Sequence, residues 1–175
     1  MGTRNLSLLK SEGKIVIAQY GQWDGYPSGQ GATILDFCKN KSNLNKLKAC
    51  LVDIRNLDEL MEFVKAFNYQ TTSVQGRYYF DKLCHRDIGG EIFENIISLD
   101  RACLPPEMNG NIYVQHYSDL AETRNYSDVW IEYAYLINLD TNELECYGYG
   151  KNLKNFNLDN LPTREDFIKE LEENL

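Results

Sequence analysis

The sequence predicts an α+β fold: one domain over residues 1–175, with an antiparallel sheet from two hairpins covered on one face by about five helices. Three observations carry that expectation. A β-branched run, Ile15-Val16-Ile17-Ala18, follows a Glu12-Gly13 turn. A second run, residues 129–139, alternates in polarity and is separated from residues 144–149 by the loop Asp140-Thr141-Asn142-Glu143. Between them lie aliphatic stripes at three- and four-residue spacing. A chain of 175 residues suits one domain with a real core.

Residues 3–10 and 14–20 form the first predicted hairpin, turning at Ser11-Glu12-Gly13-Lys14. A tight turn there pairs residues whose numbers sum to about 25, which sets Arg4 opposite Gly21. Residues 31–40 read as a helix with Ile34, Leu35, Phe37 and Cys38 inward. Lys39-Asn40-Lys41 breaks it, and Ser42 can cap a second helix carrying Leu44, Leu47, Leu51 and Ile54. A third helix is expected over 58–67 and a fourth over 87–98, with Asp87 as its cap. Gly89-Gly90 costs that fourth helix about 1 kcal/mol per glycine, which close packing or a nearby ligand would explain. Ile112-Tyr113-Val114 is a short strand candidate. In the second hairpin Ile131, Tyr133, Tyr135, Ile137 and Leu139 make the more apolar face, expected to meet the helices. Pro162, Thr163 and Asp166 announce a capped C-terminal helix with Phe167, Ile168 and Leu171 inward.

The most unusual stretch is Tyr20-Gly21-Gln22-Trp23-Asp24-Gly25-Tyr26-Pro27-Ser28-Gly29-Gln30-Gly31. Four glycines fall within eleven residues, so the backbone can turn sharply and approach other groups closely. Trp23 and Tyr26 offer flat surfaces with a polar tip. The stretch joins a predicted strand to a predicted helix, the place for a ligand loop. It is neither a P-loop nor a dinucleotide fingerprint, because it lacks the terminal Gly-Lys-Ser/Thr of the first and the Gly-x-Gly-x-x-Gly of the second. The expected ligand is small and anionic or nucleotide-like. Trp23 and Tyr26 would stack on a base. Arg4 and the N–H groups around Gly29, Gln30 and Gly31 would hold a phosphate at the start of the helix. Gln22, Asp24 and Ser28 complete the candidate site, with Asp24 suited to a ribose hydroxyl or an amine. The alternative is a structural loop packed by its own aromatics.

Net charge is −8 and the pI about 4.8, which excludes a broad basic footprint for duplex nucleic acid. No run approaches the roughly 18 apolar residues of a membrane helix, and no secretory h-region opens the chain. Five scattered cysteines without a CxxC read as reduced thiols in a cytoplasmic protein. Two histidines, His85 and His116, give no metal set at normal spacing, so neither metal nor cofactor is expected. Cys84-His85-Arg86-Asp87 groups reactive side chains, but neighbours in sequence rarely face one site. Thr3 stands one position too late for an N-terminal nucleophile. The expectation therefore leans away from an enzyme. The alternatives are a hydrolase or phosphodiesterase using His85 or His116 as acid/base, or a Tyr-rich inhibitor that binds a host protein. Self-association is compatible with either.

Met1-Gly-Thr-Arg-Asn-Leu6, followed by Val16-Ile-Ala-Gln-Tyr-Gly-Gln-Trp-Asp-Gly-Tyr-Pro-Ser-Gly-Gln-Gly31, resembles the opening of an uncharacterised family associated with bacteriophages, prophages and scattered microbial genomes. Glu132-Tyr-Ala-Tyr-Leu-Ile-Asn-Leu-Asp140 with Leu144-Glu-Cys-Tyr147 is similar to its closing hairpin. By association the resemblance implies a role in modulating a host cell, in whose cytoplasm the protein would act. One class of such small acidic proteins sequesters nucleotide signals of bacterial immunity.

Overall fold

The computed structural model describes residues 2–49, 88–98 and 131–175. Five strands form one mixed sheet in the order β2-β1-β3-β4-β5. β1 (Asn5–Ser11) and β2 (Lys14–Gly21) are the first hairpin, and β3 (Tyr133–Asn138) and β4 (Glu143–Gly148) the second. The two are joined by parallel pairing of β1 with β3, from Asn5 opposite Tyr133 to Lys10 opposite Asn138. The sheet is thus not purely antiparallel. A parallel pair needs a long connection, and residues 22–132 supply it.

The first turn is as expected, with Glu12 and Gly13 at φ 52° and 76°, a left-handed pair matched to strand twist. The Asp140 carboxylate accepts hydrogen bonds from both of their N–H groups, at 2.7 and 2.9 Å, and so ties the two hairpins together. The register differs from expectation. Near the turn Lys10 faces Ile15, but a bulge between Leu9 and Lys10 shifts the rest by one residue. Asn5, not Arg4, lies opposite Gly21.

β5 (Lys151–Asn157) was not foreseen. Its Lys-Asn-Leu-Lys-Asn-Phe-Asn sequence is poor in strand-forming residues, yet it pairs along β4 as an edge. Lysines suit an edge because they discourage further pairing. The turn before it, Tyr149-Gly150, has φ 49° and 78°.

Four α-helices occur among the described residues: α1 (Ala32–Lys39), α2 (Lys41–Ala49), α3 (Ile92–Ser98) and α4 (Arg164–Glu172). The predicted stripe of α1 is buried, and Phe37 meets Phe93 of α3 at 5.5 Å between ring centroids. α2 starts one residue before the expected cap. Asn40 is extended and its side-chain oxygen accepts from the Ser42 N–H at 3.0 Å, displacing Ser42 from that role. The fourth predicted helix begins as a 3-10 turn, Gly89–Glu91, before continuing as α3. Its two glycines lie against Gln30 and Ile34: a Cβ on Gly90 would stand 2.6 Å from Ile34 Cγ1. Close packing within the protein thus accounts for them.

α4 has the predicted capping box. Thr163 Oγ1 accepts from the Asp166 N–H at 3.2 Å and donates to the Asp166 carboxylate at 2.7 Å. Thr163→Ala is expected to cost about 1 kcal/mol, read as a lower urea midpoint with an unchanged slope. The predicted helix over 58–67, the strand at 112–114 and the Cys84–Asp87 cluster lie outside the described residues.

The main core fills the space between one sheet face and all four helices, with Leu9, Ile17, Tyr135, Ile137, Leu144 and Cys146 below and Phe37, Phe93, Phe167 and Leu171 above. The second hairpin therefore turns Tyr133, Tyr135, Ile137 and Leu139 to the helices as expected, but Ile131, ahead of β3 where the strand alternation does not yet hold, packs on the other face. The other face is buried too: Leu6, Leu8, Ala134 and Leu136 are at most 1% exposed, and none of the four helices contributes to that cluster. Within it Glu145 accepts hydrogen bonds from Asn138 (2.6 Å) and the Tyr147 hydroxyl. No helix among the described residues is long and apolar enough to cross a membrane.

Candidate ligand-binding site

The glycine-rich loop leaves the end of β2 at the edge of the sheet where β1 and β3 begin, since Gly21, Asn5 and Tyr133 are register partners. It is held there at several points. The buried Asn5 amide donates to the carbonyls of Gly21 (3.3 Å) and Trp23 (3.1 Å). The Gly25 N–H donates to the Thr3 carbonyl at 3.0 Å, and the Tyr135 hydroxyl donates to the Gly25 carbonyl at 2.8 Å. Tyr135 also explains Gly31, where an added Cβ would lie 2.9 Å from the tyrosine ring. Tyr20 donates to Gln22 Oε1 at 2.6 Å, which fixes the first residues of the loop.

The second half of the loop is a single π-helical turn, Pro27–Gly31, which runs into α1. Proline at its first position costs no hydrogen bond, because that N–H would lack a partner anyway. The Gly29 and Gly31 N–H groups both donate to the Tyr26 carbonyl, at 3.0 and 3.3 Å. The Gln30 N–H donates to the Asp24 carbonyl at 2.8 Å. Asp24 holds a left-handed φ of 58°, a conformation aspartate tolerates better than most residues. Gly29 lies so close to it that a Cβ would be 2.6 Å from the Asp24 carboxyl carbon.

These bonds bear on the phosphate expectation. The N–H groups of Gly29, Gln30 and Gly31 already serve the loop itself, so an anion would have to compete with those bonds. Arg4 sits one residue outside β1. Its N–H donates to Glu132 Oε2 at 2.6 Å and its carbonyl accepts from Glu132 and Tyr133. Strand alternation directs its side chain away from the helix side that Asn5 faces. A different cation reaches the loop. Arg164, at the start of α4, donates to the Ser28 carbonyl at 3.1 Å and lies 3.8 Å from Asp36. Gln30 turns inward, its Oε1 accepting from the Gly90 N–H at 2.7 Å.

The aromatic residues are arranged differently from expectation. Trp23 lies against the backbone of Gly2 and has no ring partner among the described residues. Tyr26 instead joins tyrosines from the second hairpin. Its ring is 6.0 Å from Tyr133, which stacks near-parallel with Tyr135 at 6.4 Å and meets Tyr149 at 5.8 Å. Tyr133 is buried, whereas Trp23, Tyr26 and Tyr149 are 51%, 50% and 61% exposed. The large apolar side chains left exposed among the described residues are these three and Leu175. Leu175 lies against Gly148, the register partner of Tyr133. They therefore gather at one end of the sheet.

Sequence reasoning placed Tyr133 and Tyr135 on the helix-facing side but did not bring them to the loop. The parallel β1–β3 pairing does that, and it has no local signal. Tyr149 and Arg164 were also not foreseen as neighbours of the loop.

Burial pushes the Tyr133 phenol up to about 12, helped by the neighbouring Tyr149, Tyr26 and Glu132. Tyr135 is raised well above the ordinary range, again first by burial. An unfolded tyrosine ionises near 10, so the fold favours the neutral phenol. Stability from Tyr133 is fully present below about pH 10 and is lost as pH rises towards about 12. Melting temperature followed with tyrosinate absorbance is expected to fall across that window, and less steeply in Tyr133→Phe. Burial also raises the Cys38 and Cys146 thiols, so neither is a ready nucleophile. Among the described residues no group of three His, Cys, Asp or Glu side chains could hold a metal ion. His85 and His116, the acid/base candidates, lie outside the described residues.

No protein-family model, no curated protein and no solved structure matches this chain.

Proposed function

We propose that this protein binds a small nucleotide-like ligand without transforming it, at the end of the sheet formed by the glycine loop and the tyrosines of the second hairpin. The observation that carries this reading is the grouping of Tyr26 and Tyr149, each half exposed or more, on the buried Tyr133. Exposed aromatic faces on a rigid support are what a planar heterocycle stacks on, and each such contact contributes about 1–3 kcal/mol. Rigidity comes from the loop's internal bonds and from Tyr135 beneath it. The base is then the part of the ligand held most firmly, and the phosphate lies outward. Joined to the resemblance to phage and prophage proteins, capture of this kind reads as sequestration of a nucleotide signal used in host immunity.

The test is a pair of variants. Tyr26→Ala combined with Tyr149→Ala is expected to weaken nucleotide binding at least tenfold, from the stacking contribution of about 1–3 kcal/mol per ring. Its melting temperature should move by no more than a few degrees, roughly what the loss of two surface side chains costs. Trp23→Ala separates the two halves of the loop. If it alone abolishes binding while the tyrosine pair does not, the base sits on the Gly2 side and the assignment to Tyr26 and Tyr149 fails.

A further inference from the structure

Beneath the glycine loop the helix-facing side of the sheet turns from apolar to polar. Asn5 and Ser7 alternate with Leu6 and Leu8 along β1, so they share the face of Leu9, which belongs to the main core. Across the sheet Ser7 stands between its register partners Gln19 and Tyr135. The 3-10 turn Gly89–Glu91 packs over β1 and β2 and is joined to the loop through Gln30. Asn5, Ser7 and Gln19 are all 0% exposed.

Hydrogen bonding is incomplete in this layer. The Asn5 amide nitrogen spends its two hydrogens on the carbonyls of Gly21 and Trp23. That fixes the amide, because turning it over would set its oxygen against two carbonyls. Its Oδ1 then needs a donor, and no group among the described residues supplies one. Ser7 Oγ, two residues along on the same face, is likewise without a partner among the described residues. Each such atom in a core carries a desolvation penalty, and native interiors leave few of them unmet.

The chemistry of the pair narrows what meets it. An anion would face the Asn5 oxygen, and an apolar group would leave both oxygens unpaired. A cation would be buried without a counter-charge: Glu145, the one charged side chain buried among the described residues, lies on the other face of the sheet. A small neutral molecule that both donates and accepts fits. The spacing suits the smallest. Residues two apart on a strand have Cα atoms about 6.7 Å apart. A water making two bonds of about 2.8 Å joins oxygens up to roughly 5.5 Å apart.

We infer that an internal water is bound between Asn5 Oδ1 and Ser7 Oγ under the glycine loop, donating to the first and sharing a hydrogen bond with the second. It completes the bonding of Asn5, whose amide ties the loop to β1. Ser7 is thereby a positioning residue for the loop, whatever the tyrosines bind.

Magnetic relaxation dispersion of the water oxygen, measured on the full chain, counts waters held in the interior. Ser7→Val puts methyl groups where the water sits and is expected to lose one of them. Ser7→Ala is expected to lower the melting temperature by about 2–4 °C, the shift for roughly one hydrogen bond in a chain of this size. An unpaired hydroxyl predicts the opposite sign, since its removal lifts a penalty. A melting temperature that stays or rises in Ser7→Ala would overturn the water site, as would an unchanged water count in folded Ser7→Val. Should Ser7→Val fail to fold, the sign of the Ser7→Ala shift decides alone.

Discussion

Tyr135→Ala is expected to destabilise the protein by about 3–5 kcal/mol, a large part of the 5–15 kcal/mol that holds a typical domain together. The ring is 1% exposed and sits in the main core, stacked near-parallel on Tyr133. It also lies directly under Gly31 and holds the Gly25 carbonyl through its hydroxyl. Truncation therefore leaves a cavity and an unpaired carbonyl at the base of the loop. Tyr135→Phe divides the two effects. It keeps the packing and removes only the hydroxyl, so its cost is expected at about 1–3 kcal/mol, the penalty for a buried polar group left without a partner. Urea denaturation would show a much lower midpoint for the alanine variant and an intermediate one for phenylalanine. Equal loss in both would mean that the hydroxyl, not the ring, anchors the loop.

Gly29→Ala is expected to damage the site more than its single methyl suggests. The new Cβ would stand 2.6 Å from the Asp24 carboxyl carbon and also press on the Asp24 backbone, which accepts the Gln30 N–H. Backbone cannot rotate away as a side-chain tip can, so the loop must open. Overpacking of this kind costs about 1–3 kcal/mol. Ligand binding should fall with it, because Tyr26 is positioned by the same turn. Gly13→Ala is the control. It lies in the first hairpin turn, where a Cβ meets nothing within 4 Å but φ is 76°. That change should cost about 1–2 kcal/mol of backbone strain and leave binding intact. If Gly29→Ala keeps both stability and binding, the Asp24–Gly29 contact does not shape the site.

Signals that act over a few residues were legible in the sequence, and those set by distant pairing were not. The Glu12-Gly13 turn, the stripe of α1 and the Thr163–Asp166 box are local chemistry and appear as expected. The hairpin register was right beside the turn and wrong by one beyond it, because a bulge at Leu9/Lys10 leaves no distinct residue signature. That single shift moves Arg4 out of line with Gly21 and puts Asn5 there, where its amide binds the loop. β5 went unseen because its asparagines and lysines do not look like a strand until β4 is beside them. The glycine loop itself was visible, since its density of glycine signals close approach. What approaches was not: Tyr135 lies under Gly31, Asp24 beside Gly29 and Thr3 beside Gly25, each fixed by contacts across the fold. Tyr26 finds Tyr133 and Tyr149 only because β1 and β3 pair in parallel.

Reversible capture of an intact small ligand is the behaviour on which the proposed function rests. The check is incubation of the purified protein with a panel of cyclic and linear nucleotides. Free ligand is followed by chromatography before and after heat denaturation. The expected result is that at least one panel member disappears from the free pool and returns chemically unchanged when the protein is unfolded. The Tyr26→Ala, Tyr149→Ala variant should capture none. A ligand that returns altered would show turnover and contradict the binding account. A panel that stays wholly free would contradict it as well, and the exposed tyrosines would then belong to a protein interface.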